Sequence, residues 1–364
     1  MTVIEAVHEK HGATFRDRGG RRVVDHYGRP ARTHAAVRNA VGVCEMGYGV
    51  LELTGEDRVE FVDNAVSNRV PETDGQGTYA LLLDPQGKIE TDMYVYNAGE
   101  RLLVFCPPAR AAPVAEDWQA KTFIQDVDIR VATDDFGVFG VHGPVATEKI
   151  ASVLNKAGAP DGHLSFVRGS MADDGVTVVC GDGLAGEEGY EVVCAAGTAE
   201  NVFDTLVNRG TNAAPFGYRA WETLTLEAGT PLFETELEGE IPNVLGIRNA
   251  LDFEKGCYVG QEVVSRVENR GQPSRRLVGL TVDAVPESGA AVFEGDSAIG
   301  AVTRGAESPT REEPIALALV EFDAARENLT VRVDGDDVPA ATTPLPFVDG
   351  SDTSARLPAY PPET

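Results

Sequence analysis

The spacing of apolar residues changes character once along this chain, and that change constrains the fold more than any other feature. Up to about residue 270, stretches with strand alternation take turns with stretches of helical period. Residues 50–53 alternate like a strand, and 55–70 place Val59, Val62 and Val66 at helical spacing. Residues 78–83, the turn Asp84-Pro85-Gln86-Gly87 and residues 89–96 predict a β-hairpin. A strand near 101–105, an Ala-rich helix around 109–121 and a strand at 127–132 complete a βαββαβ-like order over about 51–136, the pattern of a split α+β lobe. A second such lobe runs over 136–229, with helices near 146–157, 199–209 and 216–226. From Leu277 onward only short strands between Gly and Pro turns remain (277–282, 299–303, 315–322 and 329–333), which predicts a small β-barrel. The fold class is therefore α+β. A core over 1–270 holds two interleaved lobes, a barrel covers 271–349, and 350–364, with three prolines and no period, is expected to be a loose, flexible tail.

A chain of 364 residues is long enough for two or three domains. Its charge is far from balanced: 58 acidic against 31 basic residues give −27, and few of the basic residues are Lys. At about 1 M salt the Debye length is about 3 Å and such self-repulsion is screened, so the surface suits a halophile's cytosol. The same charge opposes general nucleic-acid binding. The local exception, Arg266, Arg270, Arg275 and Arg276, reads as a solvated or internally paired face. Five widely spread cysteines (Cys44, Cys106, Cys180, Cys194, Cys257) include no Cys-x-x-Cys pair, so no disulfide framework, zinc knuckle or four-Cys cluster site is expected. With no signal peptide and no apolar run of membrane length, the chain reads as cytoplasmic, with no membrane partner.

One short run is chemically unusual. Glu254-Lys255-Gly256-Cys257-Tyr258-Val259-Gly260-Gln261-Glu262 sets a cysteine between glycines, with a cation beside it. Such a thiol is either accessible and activated or a small half-buried filler of a tight turn. The run, followed by Arg275-Arg276-Leu277-Val278-Gly279-Leu280, closely resembles the signature of the YgfZ branch of the glycine-cleavage T-protein superfamily, folate-binding relatives of aminomethyltransferase. Further stretches resemble the same superfamily in its order: His34-Ala35-Ala36-Val37-Arg38, Gly186-Glu187-Glu188-Gly189-Tyr190-Glu191, Leu226-Glu227-Ala228-Gly229-Thr230-Pro231-Leu232, and Ile299-Gly300-Ala301-Val302-Thr303 with Ser308-Pro309. The resemblance spans about residues 11–335. It implies a three-domain fold, two interleaved ferredoxin-like lobes plus the barrel around a central channel, holding tetrahydrofolate or a one-carbon-substituted folate.

The strand 89–96 carries Glu90, Asp92, Tyr94 and Tyr96 on one face, either a polar pocket wall or an exposed sheet face. The resemblance places two adjacent acids here, one close to folate N5; this chain has Thr91-Asp92, so one acid is missing. It also implies that Glu191 grips the pterin, as a carboxylate accepting two N–H donors would, and that Tyr79 lines the same pocket. Other family positions depart: Trp221 and Thr225 stand where arginines are usual, Val244 where a Glu is, and Glu45-Met46-Gly47-Tyr48-Gly49 where the T-protein has Asp-x-Ser-His-Met-Gly. Because the losses fall on the transferase's machinery while the octapeptide at 255–262 is intact, the expectation is a folate-binding accessory protein supporting iron–sulfur cluster assembly or repair. Its partners would be iron–sulfur proteins or their assembly factors. Cys257 would be the working thiol, Lys255 would lower its pKa, and Gln261 and Glu262 would fix the loop. The alternative is a folate-dependent aminomethyltransferase or other one-carbon transferase, using Asp92 at folate N5 and a lipoyl protein as partner.

Overall fold

The computed structural model describes residues 2–269, 272–325 and 327–360. Arg270 of the arginine cluster lies outside them. The described residues build a two-stranded sheet, Thr14–Arg18 with Arg21–His26, two larger antiparallel-dominated sheets and a closed barrel, the α+β architecture expected. In the first of the larger sheets the order is Gln76–Leu83, Ile89–Asn97, Leu102–Cys106, Gly49–Thr54, Asp128–Val131. Helices Arg58–Ala65 and Ala111–Gln119 cover one face, burying Leu51, Leu53, Met93, Val95 and Trp118. Strand alternation sends Val50, Tyr79, Leu81, Tyr94, Tyr96 and Phe105 to the other face.

The second sheet has the order Leu154–Asn155, Phe166–Met171, Asp174–Cys180, Gly189–Ala195, Phe136–His142, Gly42–Glu45, Ala214–Pro215. Helices Ala146–Val153 and Ala199–Asn208 pack on its outer face around Phe139, Val178, Val192 and Phe203. Gly42–Glu45 precedes the whole first sheet in sequence yet pairs inside the second, through Cys44 opposite Gly140, so the lobes are threaded through one another. The second sheet's inner residues Cys44, Val138, Val179 and Val193 join the same cluster as Tyr79 and Tyr94. The sheets thus turn one face each toward a shared centre.

Six strands close the barrel in the order Arg275–Val282, Glu313–Glu321, Ser297–Ser308, Ala291–Glu294, Leu329–Val333, Asp336–Thr343. Ala316, Ala318 and Val320 fill its interior, whereas Ile315, Leu317 and Leu319 reach out to the shared centre. Ala291–Glu294 and Asp336–Thr343 are not apparent in the sequence, because each is flanked or opened by acidic turn residues that mask the alternation. Among the described residues, no helix is long and apolar enough to cross a membrane.

Three of the family-like sequence stretches meet at one buried carboxylate, and a fourth joins them through Arg38. Glu227 accepts from His34 Nε2 at 2.9 Å, Arg38 Nη2 at 2.8 Å, Ser308 Oγ at 2.6 Å and Thr310 Oγ1 at 3.1 Å. Arg38 also pairs with Glu187 at 2.9 Å. Burial alone would raise the Glu227 pKa, but the His34 and Ser308 hydrogen bonds and the Arg38 charge bring it down to about 2. Helix Pro30–Asn39, helix Tyr218–Glu227 and the barrel turn at 308–310 are fastened there.

Of the loose tail expected over 350–364, residues 361–364 lie outside the described residues, and 350–360 are held in place. Gly350 crosses so close to the second lobe that a Cβ would fall 1.7 Å from Gly186 O. Ser351 N and Oγ then donate to Glu187 Oε2 at 3.0 and 2.6 Å, Ala355 N donates to Asp182 O, and Tyr360 Oη donates to Val244 O. The segment lacks periodicity because it forms no regular element; it is held by side-chain and turn hydrogen bonds that composition does not announce.

Candidate functional site

The shared centre is apolar around its rim and polar at its middle. A bulge in the hairpin pairs Leu82 with Thr91 but Leu83 with Ile89, which leaves Glu90 exposed and brings Ile89 into the centre. Glu90 is therefore not on the face with Asp92, Tyr94 and Tyr96. Those three do point inward, and Thr91, on the opposite side of the pleat, does not. The neighbouring strand sets Tyr79 beside Tyr94, and Tyr79 Oη donates to Asp92 Oδ2 at 3.1 Å. Tyr94 Oη donates to Asp182 Oδ2 at 2.6 Å.

Between these groups sits Arg356. Its Nη1 donates to Asp92 Oδ2 at 2.9 Å and its Nη2 to Tyr94 Oη at 2.6 Å. Its guanidinium lies 3.9 Å from the centre of the Tyr79 ring, and its Nε is 3.8 Å from Asp182. Arg356 is only 4% exposed. Burial opposes its charge, yet the surrounding tyrosines, Asp92 and Asp182 keep it protonated well above the ordinary range.

Glu191 enters from the strand Gly189–Ala195. Tyr48 Oη donates to its Oε1 at 2.6 Å, while Oε2 is buried without a partner. Burial lifts its carboxyl to about 7, against the Tyr48 hydrogen bond, which works to lower it. Tyr48 in turn packs edge-on against Tyr94. A cavity of about 50 Å³ is lined by Arg18, Tyr48, Asp92, Tyr94, Trp221 and Arg356 among others. Asp92 faces it directly, and Tyr79 and Glu191 stand one hydrogen bond behind. That volume holds a few waters, whereas a bound cofactor needs several hundred Å³.

Sequence reading missed Tyr48, Asp182 and Arg356 as members of this cluster. Tyr48 sits in the segment that departs from the T-protein pattern, and nothing in the Ser-Ala-Arg-Leu-Pro context of Arg356 signals burial. The helix Tyr218–Glu227 offers Trp221 to the cavity in place of an arginine, and Val244 is buried. Cations reach the cavity from elsewhere, Arg356 and Arg18, while Arg304, outside it, donates to Thr225 Oγ1 at 2.9 Å.

The octapeptide does something different from what was expected. Lys255 Nζ is buried and donates to three carbonyls, Asp63 O at 2.5 Å, Val66 O at 3.0 Å and Asn68 O at 2.9 Å, with Asp63 Oδ1 at 3.3 Å. It caps the end of helix Arg58–Ala65 and so is committed to that helix rather than to the thiol of Cys257. Burial lowers its pKa. Gly256 is open to solvent, Tyr258 is buried, and Gly260 adopts φ +81° where a Cβ would meet Asp84 O at 2.7 Å. Gln261 and Glu262 open the helix Gln261–Asn269. Cys257 itself is exposed, while the central cluster is buried. Cys44, Cys106 and Cys194 are buried and Cys180 half-buried, and burial raises the pKa of all four. Of the arginine cluster, Arg275 pairs with Glu240 at 2.8 Å and Arg276 donates to Ala324 O. Among the described residues, no group of three or more His, Cys, Asp or Glu side chains is placed to hold a metal ion.

Comparison with known proteins places this chain in a family. The GCVT N-terminal domain matches residues 4–255, and the glycine cleavage T-protein C-terminal barrel domain matches 275–349. The chain is 31% identical to an aminomethyltransferase of Saccharopolyspora erythraea, over 95% of this chain and 97% of that one. It is 34% identical to a probable aminomethyltransferase of Halobacterium salinarum, over 94% and 97%. The glycine cleavage system aminomethyltransferase T of Bartonella henselae superposes with a TM-score of 0.84 at 22% identity, covering 96% of this chain and 98% of that one, which shows the shared fold. These relatives carry the transferase name, and they favour the alternative over the accessory branch suggested by the octapeptide. By both domains and by relatives along nearly its full length, the chain belongs to the glycine-cleavage T-protein family.

Proposed function

We propose that this protein is a tetrahydrofolate-dependent aminomethyltransferase, receiving its one-carbon unit from an aminomethyl group on a lipoyl carrier protein. The observation that carries the reading is the orientation of Asp92. Of the pair Thr91-Asp92, the pleat aims only the second side chain into the centre, so the acid missing at position 91 would have faced the helices. The cluster fits a pterin chemically. Glu191 Oε2 is a buried acceptor without a donor, Tyr79 offers an aromatic face, and Asp92 lies across the cavity wall. The family's cofactor is tetrahydrofolate, and it supplies the amine nitrogens that take the carbon as a methylene bridge while ammonia and the carrier thiol leave.

In this reading Glu191 accepts from the pterin ring N–H and amino group, Tyr79 sets the ring plane, and Asp92 holds the reacting nitrogen and handles its proton. The buried surroundings exclude water from the exchange. Cys257 takes no part. The test is production of methylene-tetrahydrofolate from an aminomethyl-loaded lipoyl carrier. Asp92→Asn is expected to lower kcat by about 10²–10⁴-fold, the scale of general acid–base catalysis. Folate binding without any methylene transfer by the unaltered protein would overturn the transferase reading.

A further inference from the structure

We infer that Arg356 is an internal ligand: its guanidinium occupies the part of the pterin site where Asp92 would meet the reacting nitrogen, and must swing out before folate can bind. The inference rests on the folate reading for the identity of the displacing ligand, and on geometry for the subsite itself. A guanidinium is planar, rich in N–H donors and able to stack, and a reduced pterin likewise brings ring N–H donors on a body that stacks. Arg356 shows each of these behaviours at once. It stacks 3.9 Å from the centre of the Tyr79 ring, donates to Asp92 at 2.9 Å, and donates to Tyr94 Oη at 2.6 Å.

With the side chain in place, the cavity is about 50 Å³, and no bicyclic ring fits beside it. Residues 351–355 and 359–360 anchor the segment on either side, through Glu187, Asp182, Gly246 and Val244. Those anchors can stay while the Arg356 side chain and its immediate backbone lift. Folate and Arg356 then compete, and apparent affinity is reduced by the fraction of molecules in which the side chain is out.

The experiment compares the unaltered protein with Arg356→Ala and Arg356→Met, the second retaining an apolar stem in case the first does not fold. Tetrahydrofolate binding is followed by quenching of tryptophan fluorescence, with Trp221 on the cavity wall as reporter. Both variants are expected to bind faster and about tenfold more tightly, as removal of an internal competitor requires. Unchanged or weaker binding would overturn the proposal and make Arg356 an ordinary part of the pocket. A second readout needs no folate. At matched ionic strength, low-millimolar guanidinium chloride should raise the melting temperature of Arg356→Ala and not that of the unaltered protein. No such rescue would mean that the subsite does not select a guanidine. Rescue without folate binding in any of the three proteins would leave the subsite standing and remove the folate reading instead.

Discussion

Glu191 is a carboxyl that burial has moved to about 7, into the range where most assays are run. If it accepts two hydrogen bonds from the pterin, the ligand prefers the ionised form, so folate affinity should climb as pH rises through about 7 and level above it. Glu191→Gln should flatten that profile and weaken binding by about 1.5–3 kcal/mol at pH 8. Fluorescence titration between pH 5.5 and 8.5 checks both, and an equally steep profile in the variant would remove Glu191 from the pterin site. The sign for the unliganded fold is opposite. The carboxyl ionises near its ordinary value in the unfolded chain but only near 7 when folded. The stability it contributes is therefore complete below its ordinary range and is lost as pH climbs through 7.

At the scale of elements, the loop 254–262 is best described as a clip. Lys255 caps a helix that is distant in sequence, and Gly260 permits a close crossing over the turn at Asp84. Lys255→Met strands three carbonyls and is expected to cost about 1–3 kcal/mol in urea denaturation. Cys257→Ser should leave folate binding and methylene transfer unchanged, although native-state alkylation should strike Cys257 before the other four. Loss of transfer in that variant would return the thiol to the reaction.

Most of this layer was legible in the sequence. The hairpin, the helices Arg58–Ala65, Ala111–Gln119 and Tyr218–Glu227, and four of the six barrel strands follow from periodicity. Asp92 and Tyr79 share a hydrogen bond and Glu191 stands behind Tyr48 on the same inward side, because alternation fixes which strand side chains face inward. What could not be read were contacts made by irregular backbone. The bulge at Glu90 turns Glu90 outward and Ile89 inward, against the alternation. Arg356 reaches the centre from a segment without period, and Lys255 is drawn away from its sequence neighbour Cys257 by carbonyls almost two hundred residues earlier. The octapeptide is a strong pattern, but its physical content is a helix cap and a turn.

The molecule as a whole is organised about a centre to which all three of its parts contribute, and Glu227 is the point of attachment. Its pKa of about 2 in the folded protein lies below the ordinary carboxylate range, so the stability it supplies is present above that range and lost as pH falls through about 2. Glu227→Gln should destabilise the fold by about 3 kcal/mol at pH 7. The difference from the unaltered protein should shrink as the pH is taken below 4, which equilibrium denaturation at several pH values will show. A pH-independent difference would assign the effect to packing.

That one carboxylate also limits how such proteins can recombine. Its partners come from residues near 34–38, from 187 by way of Arg38, and from 308–310. A crossover placed in the stretch joining core to barrel would keep every domain whole and still separate the acid from its hydroxyl donors. Chimeras made with a relative should therefore succeed or fail according to whether Ser308 and Thr310 have counterparts in the incoming barrel, and very little according to how similar the two barrels are elsewhere.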